Sequence, residues 1–145
     1  MKYPIGIQDF QKIIEDGYVY VDKTDLVYKL ANEGHIYFLC RPRRFGKSLL
    51  ISTLKYYFQG RKDLFRGLAI DKLEKEWAEY PVFHLSFANG NYTEGKALKQ
   101  ILEDYIAEME TEYGKNPHAN TIGGRFASVL KAAHIKAGRR AVVLI

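Results

Sequence analysis

The sequence has few of the features that mark secreted or membrane proteins. Cys40 is the single cysteine among 145 residues, which excludes an internal disulfide and is typical of a reducing compartment. No apolar run reaches the length of a membrane span, and the N-terminus has no signal-peptide core. We therefore expect a cytoplasmic protein with no membrane partner. The place of Cys40 at the end of an apolar run predicts a buried thiol.

Histidines and other signs of catalytic chemistry are also sparse. None of the four histidines has a Cys, His or acidic partner at a metal-ligand spacing. There is no Gly-x-Ser-x-Gly elbow and no internal repeat. We therefore expect the histidines to have core or surface roles.

The overall composition is that of an ordinary globular protein. Hydrophobic residues make up 47% and charged residues 27% of the chain, which is long enough for one domain with a proper core. The net charge of +5 permits binding to a nucleotide or a nucleic acid without demanding it.

A basic loop stands out between an apolar run and a stretch with helical spacing. Ile36–Cys40 is apolar and has the length of a strand, Arg41–Ser48 is basic and ends in Gly-Lys-Ser, and apolar residues recur at helical spacing from Lys47 to Phe58. Strand, loop and helix in this order are the layout of a phosphate-binding P-loop. The continuous apolar character of the run predicts a strand covered on both faces.

The loop residues match the chemistry of a nucleoside triphosphate with Mg²⁺. Gly46 would let the backbone approach the phosphates, Lys47 would lie between the β- and γ-phosphates, and the Ser48 hydroxyl would hold Mg²⁺. The usual pattern begins with Gly, and here that position is Arg41. Arg43 and Arg44 add cations suited to phosphate oxygens.

We predict a site with ATP and Mg²⁺ as its cofactors, in which Lys47 is catalytic and Ser48 is the metal ligand. The predicted nucleotide-binding residues are Arg41, Pro42, Arg43, Arg44, Phe45, Gly46, Lys47, Ser48 and Leu49. An alternative of a different class is a nucleic-acid-binding domain in which Arg41, Arg43, Arg44 and Lys47 contact backbone phosphates.

The remaining pattern predicts alternating helices and strands. Asp22-Lys23-Thr24 reads as a turn into a helix, with Thr24 or Asp22 as the cap and with Asp22 and Lys23 as a surface pair. A turn that leans over the nucleotide is the alternative. Asp71 is expected to cap a short helix that holds Trp77. The predicted helices are Asp9–Asp16, a helix closed by Gly34, Lys47–Phe58, a helix that begins at Thr93, and Ile122–Ala137; the predicted strands are Tyr18–Val21, Ile36–Cys40, Val82–Phe87 and Ala141–Ile145.

This order of elements predicts an α/β fold, a three-layer α/β/α P-loop NTPase core with a parallel sheet. We expect residues 1–34 to form a lead-in and residues 35–145 an incomplete core. The acid that activates water should follow the strand Ala141–Ile145. We therefore expect an N-terminal piece of a longer protein, truncated before its second catalytic motif and with little hydrolysis of its own.

Four stretches carry a resemblance to a known family: Pro4–Phe10, Tyr20–Thr24, Arg41–Ser48 and Leu64–Ile70. The sequence resembles the predicted AAA-ATPase-like family of bacteria and archaea over essentially its whole length. Arg-Pro-Arg-Arg-Phe-Gly-Lys-Ser is the most specific part of the likeness, and that family uses Arg at the position of Arg41.

The resemblance implies an additional-strand P-loop ATPase core with Gly46, Lys47 and Ser48 on the triphosphate and Mg²⁺. It also implies a full-length protein that continues through an Asp-containing second motif. Such proteins commonly carry a C-terminal domain resembling PD-(D/E)xK nucleases, and nucleic acid would be a partner of the full-length protein. The oligomeric state does not follow from the sequence.

Overall fold

The computed structural model describes residues 1–34, 36–42, 44–87 and 95–145. The chain divides into two compact units, Met1–Glu79 and Tyr80–Ile145. Helices and a small parallel sheet make up the described elements, which confirms the prediction of a mixed α/β protein at that level.

The first unit is helical. Its core is made by side chains that are fully enclosed, including Phe10, Ile13, Phe65 and Ile70. The rings of Phe10 and Phe65 lie 4.8 Å apart between centroids, which joins the first helix to a 3-10 turn. The elements are α1 (Phe10–Glu15), α2 (Thr24–Glu33), α3 (Lys47–Phe58), the 3-10 turn Lys62–Phe65 and α4 (Ala69–Leu73).

The prediction that Asp71 caps a helix holding Trp77 is wrong. Asp71 lies inside α4, where its carboxylate accepts a hydrogen bond from the Gly67 N–H. The helix ends early because the Glu74 carboxylate accepts the N–H groups of Lys75 and Glu76. In a longer helix these N–H groups would donate to backbone carbonyls of the preceding turn. Trp77 follows in a left-handed conformation with φ of 45°.

Trp77 belongs to an aromatic cluster in the first unit. Its ring centroid lies 5.2 Å from that of Phe65 and 5.9 Å from that of Tyr57. The Tyr57 hydroxyl donates to the Glu74 carboxylate at 2.5 Å, so α3 also holds the segment that leads to Trp77. The indole N–H is buried and has no acceptor among the described residues.

The second unit packs two helices on a parallel pair of strands. Strand β1 (Val82–His84) pairs in parallel with β2 (Val142–Leu144). The two helices α5 (Gly95–Tyr113) and α6 (Ile122–Ala137) lie between these strands in the sequence, and they contact each other. Met109, Val129 and Ala133 of the helices form one apolar cluster with Phe83 and Leu85. The predicted N-cap, Thr93, lies outside the described residues.

An ion pair ties α5 to α6. The Arg125 guanidinium donates two hydrogen bonds to the Glu110 carboxylate, at 2.9 and 2.8 Å. This bidentate contact with Arg125 lowers the pKa of Glu110, against the opposing effect of burial, and raises the pKa of Arg125. Residues fifteen positions apart are thereby joined across the helix pair.

Two predicted strands are absent and two are shorter than expected. Within the described residues, the sheet contains neither Tyr18–Val21 nor Ile36–Cys40, so the three-layer core is not confirmed. A strand buried on both faces needs neighbouring strands and covering helices, and the side chains of Ile36–Cys40 are exposed instead. Of β2, Leu144 is buried whereas Val143 is exposed.

Candidate functional site

The basic loop ends at the start of α3, as the sequence predicts. Helix α3 begins at Lys47, and Gly46 precedes it in the left-handed region with φ of 75° and ψ of 16°. A Cβ at Gly46 would meet no heavy atom within 4 Å, so the glycine is required by backbone conformation and not by crowding. The space beside this backbone is open.

Two residues with positive φ flank Phe45 just before α3. Arg44 has φ of 66° and Gly46 has φ of 75°, whereas Phe45 between them is not in the positive-φ region. Left-handed residues in a turn are a feature of backbone segments that direct successive N–H groups toward one side and bind anions. The left-handed backbone of Arg44 is uncommon for a residue with a side chain, which makes this turn a distinctive feature of the loop.

The N-terminus of α3 begins without a capping side chain. The first backbone bond of the helix runs from the Leu50 N–H to the Gly46 carbonyl at 2.9 Å, and the N-cap residue, Gly46, has no side chain that could bond to the helix start. The N–H groups ahead of Leu50 have no partner within a regular helix. These donors and the positive end of the helix dipole favour a bound anion.

The side chains of the predicted site are accessible. Arg41, Pro42, Arg44, Phe45, Lys47 and Ser48 are exposed, and Leu49 is half-buried. Arg43 lies outside the described residues. The Ser48 hydroxyl is a hard oxygen donor of the kind that Mg²⁺ accepts beside phosphate oxygens, so the residue fits the predicted ion.

Cys40, directly before the loop, corrects one prediction. Its thiol is exposed rather than buried. The expectation of a buried thiol depended on Ile36–Cys40 being an internal strand, and the exposed fractions of Ile36 and Phe38 are 94% and 93%. The apolar run and the thiol are therefore accessible together.

The orientation of α3 is set by contacts to α1 that the sequence did not reveal. The Ser52 hydroxyl accepts the Phe10 N–H at 2.9 Å and donates to the Asp9 carboxylate at 3.3 Å. The Tyr56 hydroxyl donates to the same carboxylate at 3.0 Å. Asp9 also accepts the Lys12 N–H at 2.9 Å, so it caps α1 and anchors α3 at once.

The environment of Tyr56 at this contact changes the pKa of its phenol. Burial, followed by the hydrogen bond to Asp9 and the charge of that carboxylate, raises the pKa of Tyr56 to about 12. The phenol therefore stays protonated and continues to donate. The four-residue spacing of Ser48, Ser52 and Tyr56 was the available sequence signal, since such residues share one side of a helix.

Asp22 and Thr24 form hydrogen bonds at the start of α4 as well as at the predicted helix start. The Asp22 carboxylate accepts the Thr24 N–H at 2.9 Å and the Ala69 N–H at 2.7 Å. The Thr24 hydroxyl accepts the Ile70 N–H at 3.1 Å. The N-cap residue of α2 is Lys23, which forms no side-chain cap bond, so Asp22 acts from one position earlier by accepting the N–H of the first helical residue. Asp22 and Thr24 also accept the first two N–H groups of α4, which is distant in sequence.

Two further findings concern the described residues. Within residues 1–34, 36–42, 44–87 and 95–145, no three side chains of His, Cys, Asp and Glu are grouped as a metal centre would need. Over the same part of the chain, every helix is too short or too polar for a bilayer crossing.

Comparisons with known proteins show a family to which almost the whole chain is similar. A family model described as "Predicted AAA-ATPase" matches residues 4–145. A protein of Azotobacter chroococcum mcd 1, described as "Uncharacterized protein in vnfD 5'region", is 40% identical over 146 residues, which cover 99% of this chain. The chain spans 28% of the length of that relative. No solved structure matches the chain.

Proposed function

Because this chain belongs to the family of predicted AAA-ATPases, we propose that its basic loop, Arg41–Ser48, binds the triphosphate of Mg-ATP. The observation that carries the proposal is the left-handed turn at Arg44 and Gly46, which leads into the uncapped N-terminus of α3. A triphosphate concentrates negative charge, and this turn offers N–H donors and a helix dipole to meet it.

The side chains around the turn have separate roles in the proposal. Lys47 places its ammonium between the β- and γ-phosphates, where it stabilises charge that develops during phosphoryl transfer. Arg41, Arg43 and Arg44 add guanidinium groups for phosphate oxygens. Ser48 would hold Mg²⁺, which supplies charge neutralisation on the β- and γ-oxygens.

Asp9 and Ser52 hold α3 in a fixed position against α1. They bind α3 to α1 one turn beyond Ser48, so the first turn of α3 is held while Lys47 and Ser48 stay exposed. A rigid helix carries its donors in place before the ligand arrives, and less conformational entropy is then lost on binding.

The larger architecture is also part of the proposal. We propose that Ile36–Cys40 becomes a strand of a three-layer α/β/α core in the complete protein, with residues 35–145 in that core. ATP hydrolysis, a second motif that contains Asp, and a C-terminal domain resembling PD-(D/E)xK nucleases would belong to a longer protein. The 28% coverage of the Azotobacter protein leaves room for such additions in that relative.

The test is calorimetric titration of the chain with a non-hydrolysable ATP analogue, with and without Mg²⁺. We expect Lys47→Ala to weaken binding by roughly tenfold to a hundredfold, since a hydrogen bond to a charged group contributes about 1.5–3 kcal/mol. Lys72→Ala, at the exposed end of α4, removes the same charge and should leave the affinity unchanged.

The same experiment separates a second candidate function. Arg41 and Arg44 are exposed, which also suits contact with the phosphates of a nucleic acid. In that case the ATP analogue would not bind to the folded chain, and Lys47→Ala would only soften a salt-dependent affinity for an oligonucleotide. Equal losses for Lys47→Ala and Lys72→Ala would contradict the loop as the nucleotide site.

A further inference from the structure

The contact between α1 and α3 includes the buried residue of α3 that is closest to the basic loop. Residues 47–51 of α3 are exposed or half-buried, and Ser52 is the first buried one. Ser52 lies four residues after Ser48, on the same side of the helix and about 6 Å further along its axis. The position of the helix start therefore depends first on what holds Ser52.

Asp9 holds this side of α3 through one of its two carboxylate oxygens. The Oδ2 atom accepts the Ser52 hydroxyl at 3.3 Å and the Tyr56 hydroxyl at 3.0 Å. Because Ser52 and Tyr56 are about one helical turn apart, a single oxygen is bonded to two points along the helix. These two bonds resist both rotation and sliding of α3 against α1.

The other carboxylate oxygen of Asp9 has a separate role. The Oδ1 atom accepts the Lys12 N–H at 2.9 Å, which is the ordinary N-cap bond of α1. That bond needs one oxygen only, and serine caps helices about as well as aspartate. Capping alone therefore does not account for the contacts of Oδ2 with α3.

Phe10 joins the same link to the core of the first unit. Its N–H donates to the Ser52 hydroxyl at 2.9 Å in a buried position, and its ring is fully enclosed and packs on Phe65. If Ser52 moved away from α1, this buried N–H would lose its acceptor, which is unfavourable. The start of α3 is thus connected to the core through α1.

We propose that Asp9 is a positioning residue of the nucleotide site, which acts through Ser52 and Tyr56 on the turn at the start of α3. This inference rests on the proposed function of the loop Arg41–Ser48. The N–H groups of a phosphate site bind well only when they converge on the ligand, so a small displacement of α3 weakens several bonds at once. Loss of the Oδ2 contacts then lowers the nucleotide affinity, although Asp9 acts through α3 and not on the ligand.

The test is calorimetric titration of the complete chain with a non-hydrolysable ATP analogue and Mg²⁺, at a temperature at which circular dichroism shows each variant to be folded. Tyr56→Phe removes one bond to Oδ2, and Asp9→Ser removes Oδ2 but keeps a capping oxygen. We expect each variant to bind the analogue about threefold to tenfold more weakly, as is usual for residues that act on a site without contacting its ligand. Their double variant should bind no more weakly than Asp9→Ser, because both changes break the same link.

Tyr57→Phe is the matched control. Tyr57 follows Tyr56 in α3, and its hydroxyl likewise donates to a carboxylate, that of Glu74, at 2.5 Å. The variant loses the same group from the same helix, but the lost bond leads to the end of α4 instead of α1. We expect its affinity for the analogue to equal that of the wild type. A purely structural loss would lower the binding stoichiometry, whereas a loss of positioning weakens the affinity of the folded chain.

The outcomes separate this inference from the proposed function. If the wild type does not bind the analogue, the proposed function fails and the inference fails with it. If the wild type binds, but Tyr56→Phe and Tyr57→Phe lose affinity equally, Asp9 has no specific effect on the site. If Asp9→Ser and Tyr56→Phe bind as tightly as the wild type, or change the stoichiometry alone, the contact is purely structural. In these last two cases the proposed function stands without the inference.

Discussion

Asp22 is a single residue that holds the starts of two helices. Burial acts to raise the pKa of its carboxyl group, but the hydrogen bonds from the Thr24 N–H, the Thr24 hydroxyl and the Ala69 N–H outweigh that effect and lower the pKa below its ordinary value of 3.8. The folded state therefore favours the ionised form. Its stabilising contribution is present above about pH 4 and is lost as the pH falls through the folded pKa.

We predict that Asp22→Ala lowers the free energy of unfolding by about 1 kcal/mol at neutral pH, the usual cost of a lost cap. The difference between wild type and variant should shrink as the pH falls below about 4, because Asp22 then becomes protonated. Urea unfolding across this pH range measures it. A difference that stays constant at low pH would show that the charge of Asp22 contributes nothing.

Individual residues also show where sequence reasoning reaches its limit. The contact between Asp22 and the start of α2 follows from the local pattern, because Asp22 lies two positions before Thr24, the first residue of the helix. The contact from Asp22 to Ala69 spans 47 positions, and no local pattern encodes such a contact. Asp71 shows the opposite error, since a residue type that commonly caps helices lies here inside α4.

At the scale of elements, helices with strong local signals were predictable to the residue. Lys47–Phe58 and Ile122–Ala137 have the predicted bounds, and both are flanked by a glycine in the left-handed region, Gly46 and Gly138. Strands depend on partners that are distant in sequence, and the apolar run Ile36–Cys40 is not part of the described sheet. The start of α3 at Lys47 was therefore predictable, whereas the conformation of Ile36–Cys40 before the loop was not.

The turn before α3 gives a prediction at the element scale. Gly46 has φ of 75° and Gly67 has φ of 79°, and a Cβ at either would meet no atom within 4 Å. Replacement by alanine should strain each backbone alike, by about 1–2 kcal/mol. We expect Gly46→Ala and Gly67→Ala to lower the free energy of unfolding by similar amounts, but only Gly46→Ala to weaken binding of the ATP analogue.

Thermal unfolding and calorimetric titration of the two variants provide the comparison. The shared strain serves as the internal control, because Gly67 lies after the 3-10 turn and away in sequence from the loop. An equal loss of affinity in both variants would mean that general destabilisation weakens binding. Unchanged affinity in Gly46→Ala would contradict the role of this turn in holding phosphate.

At the scale of the whole chain, the division into two compact units predicts two separable unfolding events. Trp77 is the single tryptophan and lies in Met1–Glu79, so its fluorescence reports the first unit. Helices α5 and α6 lie in the second unit, and the helices of the first unit have a similar total length, so far-ultraviolet circular dichroism reports both units about equally. Fluorescence therefore follows the first unit alone, whereas circular dichroism follows the two units together.

Core truncations, one in each unit, make this prediction testable. Val129 is 1% exposed in the second unit and Ile13 is fully buried in the first. Val129→Ala should cost about 2 kcal/mol and move about half of the circular dichroism change to a urea concentration lower by about 1 M, while the Trp77 midpoint stays in place. Ile13→Ala should shift the Trp77 midpoint instead. If either variant moves both midpoints by the same amount, the chain unfolds as one cooperative body.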